Sequence, residues 1–304
     1  MTPRVERAFL FGVLIAMGAA WGFSQPMAKL AVSTGYKHFG IIFWQFVIGA
    51  LCLGAINILR GKRLPLGPVQ LKFYLLIALI GTIFPNSASY QAIAVLPVGI
   101  VSILLSLIPM MAFPVALWWG LDKFSVTRLG GLVFGMVGVL VLILPQASLP
   151  DPAMIWFIPL ALIAPLFYAF EGNVIARWGT YGLDPIQTLL GASVVGAIVM
   201  VPVTLATGQW ISPLPGYGVA DLGIVASSLA HVAAYVCYFW LIGRAGSVFA
   251  IQVSYLATGF GVLWAMVILS ETYSNTFWLA MLIMFVGLFL VQPRSSSDQE
   301  DAYQ

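Results

Sequence analysis

Ten stretches of nearly continuous apolar residues, separated by short polar connections, run the length of this chain. They cover roughly residues 8–32, 39–59, 71–93, 97–120, 126–145, 153–175, 185–207, 218–242, 247–270 and 275–292. Runs of about 20 apolar residues are long enough to cross a bilayer as helices. The strands of an outer-membrane barrel would instead alternate apolar and polar positions. Turn formers gather in the connections: Gly61, Pro65, Gly67 and Pro68, then Pro145 and Pro150, then Pro213, Pro215 and Gly216. The first run follows Arg4 and Arg7, as in a signal peptide, but it is too long for a typical signal core and lacks a convincing cleavage site. It reads as a retained first span. The expected fold class is therefore an all-α integral membrane protein with ten transmembrane helices.

Composition agrees. Of 304 residues, 61% are hydrophobic and 8% charged, against about 25% charged in a soluble domain. The basic residues are too scattered for a nucleic-acid surface, so the expected partners are the lipid bilayer and a small-molecule substrate. Cys52 and Cys237 lie inside spans and read as small buried hydrophobes. There is no Gly-x-x-x-x-Gly-Lys phosphate loop, no His-Glu-x-x-His and no Gly-x-Ser-x-Gly, so neither ATP-driven transport nor an enzyme is indicated. No cofactor and no metal is expected.

The charge pattern orients the spans. Arg4 and Arg7, the group Arg60, Lys62, Arg63 and Lys72, the pair Lys123 and Arg128, and Arg177, Arg244 and Arg294 all fall on alternate connections. Lysine and arginine collect on the cytoplasmic side. Ten spans with both termini cytoplasmic fit all of them. The exceptions are Lys37, in a connection, and Lys29, inside the first span.

The chain also repeats weakly. Gly120-Leu121-Asp122-Lys123-Phe124-Ser125 closes the fourth span, and Leu269-Ser270-Glu271-Thr272-Tyr273-Ser274 closes the ninth, 149 positions later. Gly138 meets Gly287 at the same offset, and Lys29 meets Arg177 at 148. Five spans per half is an odd number, so the halves should be inverted relative to one another, a recurrent architecture of secondary transporters. The expected organisation is a first five-helix repeat over 1–147, a second, inverted one over 148–293, and a disordered cytoplasmic tail over 294–304.

Polar residues inside spans are costly and face the bundle interior or a watery cavity. Trp21, Gln25 and Lys29 share a face of the first span, bordered by Ser24. Thr82, Asn86 and Ser89 share a face of the third, with Tyr90 beside it, and align by repeat with His231, Tyr235 and Tyr238 of the eighth. Gln252 and Tyr255 share a face of the ninth. Together they predict a central cavity that is polar, mostly uncharged and rich in rings, suited to an amphipathic small molecule. Glu171, an acid one turn inside the sixth span, reads as a partner for a substrate amine or a proton, or as a water-exposed structural group. His231 reads as a neutral, hydrogen-bonded imidazole or a proton relay. Lys29 reads as a snorkelling end charge or a cavity group. Trp44, Trp118, Trp119, Trp156, Trp210 and Trp278 sit near span ends as interfacial rings. Gly130, Gly131, Gly135 and Gly138 predict close helix packing in the fifth span. Pro85, Pro109, Pro114, Pro159 and Pro165 predict kinks or hinges.

The pattern Trp21-Gly22-Phe23 with Pro26 and Lys29, the acidic Asp122 after the fourth span, and the glycine-rich fifth span resemble the EamA-type drug/metabolite transporters. The resemblance covers residues 8–292. It implies ten helices in two inverted five-helix halves. Within that family the chain is similar to bacterial exporters of aromatic and neutral amino acids, the YddG type. One departure is Ala169, with Tyr168 beside it, where the second-half equivalent of Trp21 would stand. The resemblance implies a secondary transporter of the bacterial inner membrane, acting by alternating access as a monomer or dimer. Because of the departure at Ala169 the relatives' substrate contacts do not carry over, and the expected substrate site is the one read from the spans themselves: Trp21, Ser24, Gln25, Thr82, Asn86, Tyr90, Tyr168, Glu171, His231, Tyr235, Tyr238, Gln252 and Tyr255. A drug or nucleoside exporter, a membrane-embedded enzyme and a channel are the competing readings. The absence of a conspicuous buried acid pair leans towards facilitated export, with proton coupling left open.

Overall fold

The structure is a computed structural model, and it describes residues 3–143, 151–214, 216–245 and 252–291. The expected tail at 294–304, the repeat boundary at 147/148, Arg294 and the expected start of the ninth span lie outside the described residues. Ten helical segments stand within them: α1 Pro3–Ser33, α2 His38–Leu59, α3 Pro68–Val95, α4 Val98–Trp118, α5 Val126–Ile143, α6 Pro152–Trp178, α7 Pro185–Ala206, α8 Val219–Ala245, α9 Val253–Leu269 and α10 Asn275–Leu290. Eight are long and apolar enough to cross a membrane, and α9 and α10 are shorter apolar helices. No strand occurs among the described residues. The all-helical architecture follows from the solvent: in lipid, each backbone N–H and C=O must be satisfied within its own segment.

Local chemistry sets the ends. Asp184 caps α7 in a capping box: its carboxylate accepts from Gln187 N–H at 3.0 Å, and the Gln187 side chain accepts from Asp184 N–H at 3.1 Å. Ser274 caps α10 by accepting from Phe277 N–H. Ser270 closes α9 in the left-handed region at φ 55°. Two spans are irregular inside. In α3 a π turn, Leu79–Ile83, immediately precedes Pro85. The proline ring would meet the carbonyl four residues back in a regular helix, and the wider turn relieves that clash. In α4 the helix breaks at Ser106 and Leu107, just ahead of Pro109.

Helix α1 packs between α8 and α9, α2 against α7, α5 against α10, and α6 against α3 and α4. The α1–α9 crossing is close because Gly22 has no side chain. A Cβ there would lie 2.6 Å from Gly261 N and 2.8 Å from the Ala257 carbonyl. Gly131, Gly135 and Gly138 face α10 and α4 in the same way, against Val291, Met110 and Met284 respectively. Gly130 faces open space, so the expected packing seam holds for three of the four glycines.

Polar contacts divide between two faces. On one, Arg60 and Lys62 bind Asp184, Arg177 donates to the Trp119 carbonyl at 2.9 Å, and Arg244 pairs with Glu6 at 3.1 Å. This brings the α2–α3, α4–α5 and α6–α7 connections to the same side as the start of α1 and the end of α8, the side that sequence assigns to the basic residues. On the opposite face, Tyr36 donates to Asp221 at 2.9 Å, Gln209 accepts from Phe39 N–H at 3.0 Å, and Trp44 donates to the Ile211 carbonyl at 3.1 Å. Glu271 there accepts from Val98 N–H at 2.9 Å and Gly99 N–H at 3.3 Å, joining the α9–α10 connection to the start of α4. Tyr273 donates to Glu271 and also accepts from Gly99 N–H. Burial first, then the neighbouring carboxylate, pushes the Tyr273 hydroxyl well above its ordinary pKa, keeping it a donor.

Candidate binding cavity

A cavity of about 550 Å³ lies among α1, α4, α6, α7, α8 and α9. Its wall runs from Trp21, Ser24 and Gln25 in mid-α1 to Thr180 in the α6–α7 connection and Pro185 at the start of α7, so it extends towards the basic face. A side chamber of about 70 Å³, bounded mainly by α2, α3, α7 and α8, shares Glu171, His231 and Tyr235 with it.

The aromatic wall is built across the α1–α8 seam. Trp21 Nε1 donates to His231 Nδ1 at 3.3 Å. The Trp21 ring meets Tyr235 edge-on at 5.1 Å between centroids and Tyr238 at 5.5 Å, and His231 lies 4.8 Å from Tyr235. Such tilted arrangements place the positive ring edge over a neighbour's negative face. Residues 231, 235 and 238 fall on one face because the helix advances 100° per residue.

A second polar chain crosses three helices. Tyr168 on α6 donates to Asn86 Oδ1 at 2.8 Å, and the Asn86 amide donates to Gln45 Oε1 on α2 at 3.1 Å. Glu171, one turn beyond Tyr168, sits against Gly81 in the π turn of α3: a Cβ on Gly81 would collide with its carboxylate. The wider turn and the missing side chain together make room for the acid.

The structure thus gathers eight of the residues singled out in the sequence around the larger cavity: Trp21, Ser24, Gln25, Tyr168, Glu171, His231, Tyr235 and Tyr238. Thr82 and Asn86 line the side chamber. Tyr90, Gln252 and Tyr255 lie outside both linings. Tyr90 is buried in an apolar cluster with Phe46 and Ile83. Gln252 occupies the N-cap position of α9. Tyr255 turns to Phe285 on α10, 5.8 Å away. The cavity face of α9 is Ser254 and Thr258, one residue and therefore about 100° around from Tyr255.

Sequence reading missed Ser102, Ser106, Thr188, Ser254 and Thr258 on the wall. Pairs of small hydroxyls four apart, 102 with 106 and 254 with 258, were the available signal. Gln25 Oε1, Ser102 Oγ and Thr188 Oγ1 are buried without a hydrogen-bond partner. Buried polar atoms are normally paired, so these three mark positions on the wall-forming residues whose hydrogen bonds are unmet in this conformation. Lys29 is absent from the wall; its ammonium donates to the carbonyls of Ile93, Leu96 and Ala94 at 2.6, 3.2 and 3.3 Å, at the end of α3. That position suits a cation, since unpaired carbonyls give a helix C-terminus partial negative charge.

Residues 9–144 and 155–292 each match the model of the EamA-like transporter family. The chain is 22% identical to a chloroplastic WAT1-related protein of Arabidopsis thaliana, over 96% of this chain and 72% of that one. A crystal structure of a protein superposes on 91% of this chain and 95% of its own, with a TM-score of 0.62 and 17% identity, a likeness of fold alone.

Proposed function

The chain belongs to the EamA-like transporter family, and on that premise we propose that it is a secondary transporter exporting neutral and aromatic amino acids and related small metabolites across a bacterial inner membrane. The observation that carries this reading is the composition of the cavity. Its volume of about 550 Å³ falls within the roughly 300–1,000 Å³ of small-molecule sites. Its wall offers five rings, several hydroxyls, an amide and a carboxylate, with no lysine or arginine among the lining residues. Rings accommodate an apolar side chain, the carboxylate takes an ammonium, and donors for a solute carboxylate are the Gln25 NH2 group and the Ser102 and Thr188 hydroxyls. A sugar phosphate would call for a basic cluster instead.

The mechanism proposed is alternating access. The two family matches support two five-helix repeats, over 1–147 and 148–293, and the odd number per repeat makes them inverted. The cavity extends towards the basic face, to Thr180 and Pro185, and with that face taken as cytoplasmic loading from there fits an exporter. The proposed YddG-type substrate range is tested in proteoliposomes with a panel of labelled amino acids, nucleosides and cationic dyes. Saturable phenylalanine counterflow is the expected result. Amino-acid flux no faster than in empty liposomes, alongside rapid flux of a nucleoside or dye, overturns the assignment.

A further inference from the structure

Tyr168 stands on the cavity wall, and its hydroxyl proton is already spent. The proton goes to Asn86 Oδ1 on α3, 2.8 Å away. The Asn86 amide in turn donates to Gln45 Oε1 on α2 at 3.1 Å, and the Gln45 side chain donates to the hydroxyl of the buried Tyr90. Asn86 and Tyr90 are one helical turn apart, so they emerge on the same face of α3 and take Gln45 between them. The π turn at Leu79–Ile83, just upstream, holds an extra residue and so sets which face that is. Neither Gln45 nor Asn86 lines the larger cavity; both border the side chamber.

The chain of bonds has a polarity. An amide offers a carbonyl at one end and N–H donors at the other. With the Asn86 carbonyl turned to Tyr168 and its nitrogen turned to the Gln45 carbonyl, each group fixes the next. Tyr168 is left with lone pairs for the cavity and no proton to give. Other hydroxyls of the wall are spent too: Ser24 on the Trp21 carbonyl at 2.6 Å, Ser106 on Ile103 at 2.7 Å and Thr258 on Ser254 at 3.0 Å. Those bonds run to the main chain of their own helices, the ordinary habit of a helical hydroxyl. The bond of Tyr168 differs in kind, because side chains from two other helices set it.

Resting on the reading of the cavity as an amino-acid site, we propose that Gln45 and Asn86 are specificity-determining residues that act without touching the solute. They hold Tyr168 as an obligate hydrogen-bond acceptor. A solute that presents N–H groups there is bound. One that presents an oxygen in the same place sets lone pairs against lone pairs and leaves buried groups unpaired, the condition under which a site discriminates strongly. The class selected is the primary amine over its keto counterpart, which carries an oxygen on the same carbon skeleton where the amine carries nitrogen.

The test sets phenylalanine against phenylpyruvate as competitors of labelled phenylalanine counterflow, in proteoliposomes holding the purified full chain. Phenylpyruvate should compete about tenfold more weakly or worse in wild type. Asn86→Leu removes the acceptor and frees the phenol to turn and donate, so the preference should fall about tenfold. Gln45→Leu should lower it as well, by releasing the Asn86 amide to turn over. Asn86→Asp and Gln45→Glu each keep an oxygen where one is needed and should preserve the preference. In a Tyr168→Phe background, Asn86→Leu should change the preference no further, because its effect runs through the phenol. A merely structural role predicts equal losses for both compounds. That result, or an undiminished effect of Asn86→Leu in the Tyr168→Phe background, overturns the proposal and leaves the transporter reading intact. Infrared spectra give a readout that needs no solute. The tyrosine C–O band missing from Tyr168→Phe should lie where a donating phenol absorbs, and should shift in Asn86→Leu. A band at the acceptor position means that the chain runs from Tyr90 to Tyr168 instead, and it overturns the proposal. Absence of phenylalanine flux in wild type fails the substrate reading, and the spectra still decide whether Tyr168 is held as an acceptor.

Discussion

Trp21 and His231, 210 positions apart in the chain, are joined by a hydrogen bond of 3.3 Å from the indole nitrogen to the imidazole Nδ1. The bond crosses the α1–α8 seam and fixes both the orientation of the indole and the tautomer of the histidine. Trp21→Phe keeps a ring but loses the donor; Trp21→Ala loses both. Phenylalanine counterflow should fall about tenfold or more in Trp21→Ala, equivalent to roughly 1.4 kcal/mol, and less in Trp21→Phe. Tyr235→Ala should behave like Trp21→Ala, with expression unchanged on a fluorescence-detected gel-filtration column. Normal counterflow in both alanine variants would remove these rings from the site.

The α1–α9 crossing tests packing separately from chemistry. A Cβ at Gly22 has backbone, not side-chain ends, in its way, so the helices must separate to admit it. Gly22→Val should destabilise by about 1–3 kcal/mol through overpacking and lower the melting temperature in detergent. Gly130→Ala, which meets nothing within 4 Å, should melt like wild type.

Lys29 closes the end of α3 at the opposite face. Lys29→Met keeps much of the stem and removes three donors from carbonyls. Losing charge-assisted bonds of this kind costs about 1–3 kcal/mol. The melting temperature should fall, and a cysteine introduced at Leu96 should react faster with an impermeant thiol reagent added on that face. An unchanged rate would mean that Lys29 does not hold the face closed.

Asp184 gives a pH signature at the basic face. Burial would raise its pKa, but bonds from Arg60, Lys62 and the Gln187 backbone outweigh that and hold the carboxyl well below the usual range. A carboxyl depressed in the folded state contributes its full stability above the unfolded value of about 3.9 and loses it as pH falls from there towards the folded value. Asp184→Ala should destabilise by about 1–2 kcal/mol near neutrality, through the lost cap and partly exposed pairs. The difference from wild type should shrink only in acid below that range, as followed by thermal melts across pH.

Much of the helix layout was legible because lipid leaves the chain little choice. Continuous apolar runs locate the spans within a few residues, and the positions of Arg60, Lys62, Arg177 and Arg244 foretell which connections meet. Helical spacing found the faces of α1 and α8, where polar and aromatic residues interrupt an apolar background. It placed Tyr255 wrongly relative to the cavity because the large residue drew attention, whereas Ser254 and Thr258 carry the wall of α9. The π turn of α3 was hidden for another reason. Pro85 announces an irregularity, but which carbonyls are released, and that Gly81 thereby receives the Glu171 carboxylate, depends on a helix packed from elsewhere in the chain.

The two faces are fastened with different proportions of charge pairs and main-chain bonds. At the basic face, Arg60, Lys62 and Arg244 meet carboxylates at the surface, and charges of that kind are weakened by mobile ions. At the opposite face, Glu271, Gln209, Trp44 and Lys29 grip main-chain groups, which ionic strength touches far less. Salt is therefore a one-sided lever on this molecule. It loosens the basic face and spares the opposite one, so the ionic milieu alone shifts the balance between the two ends of the bundle.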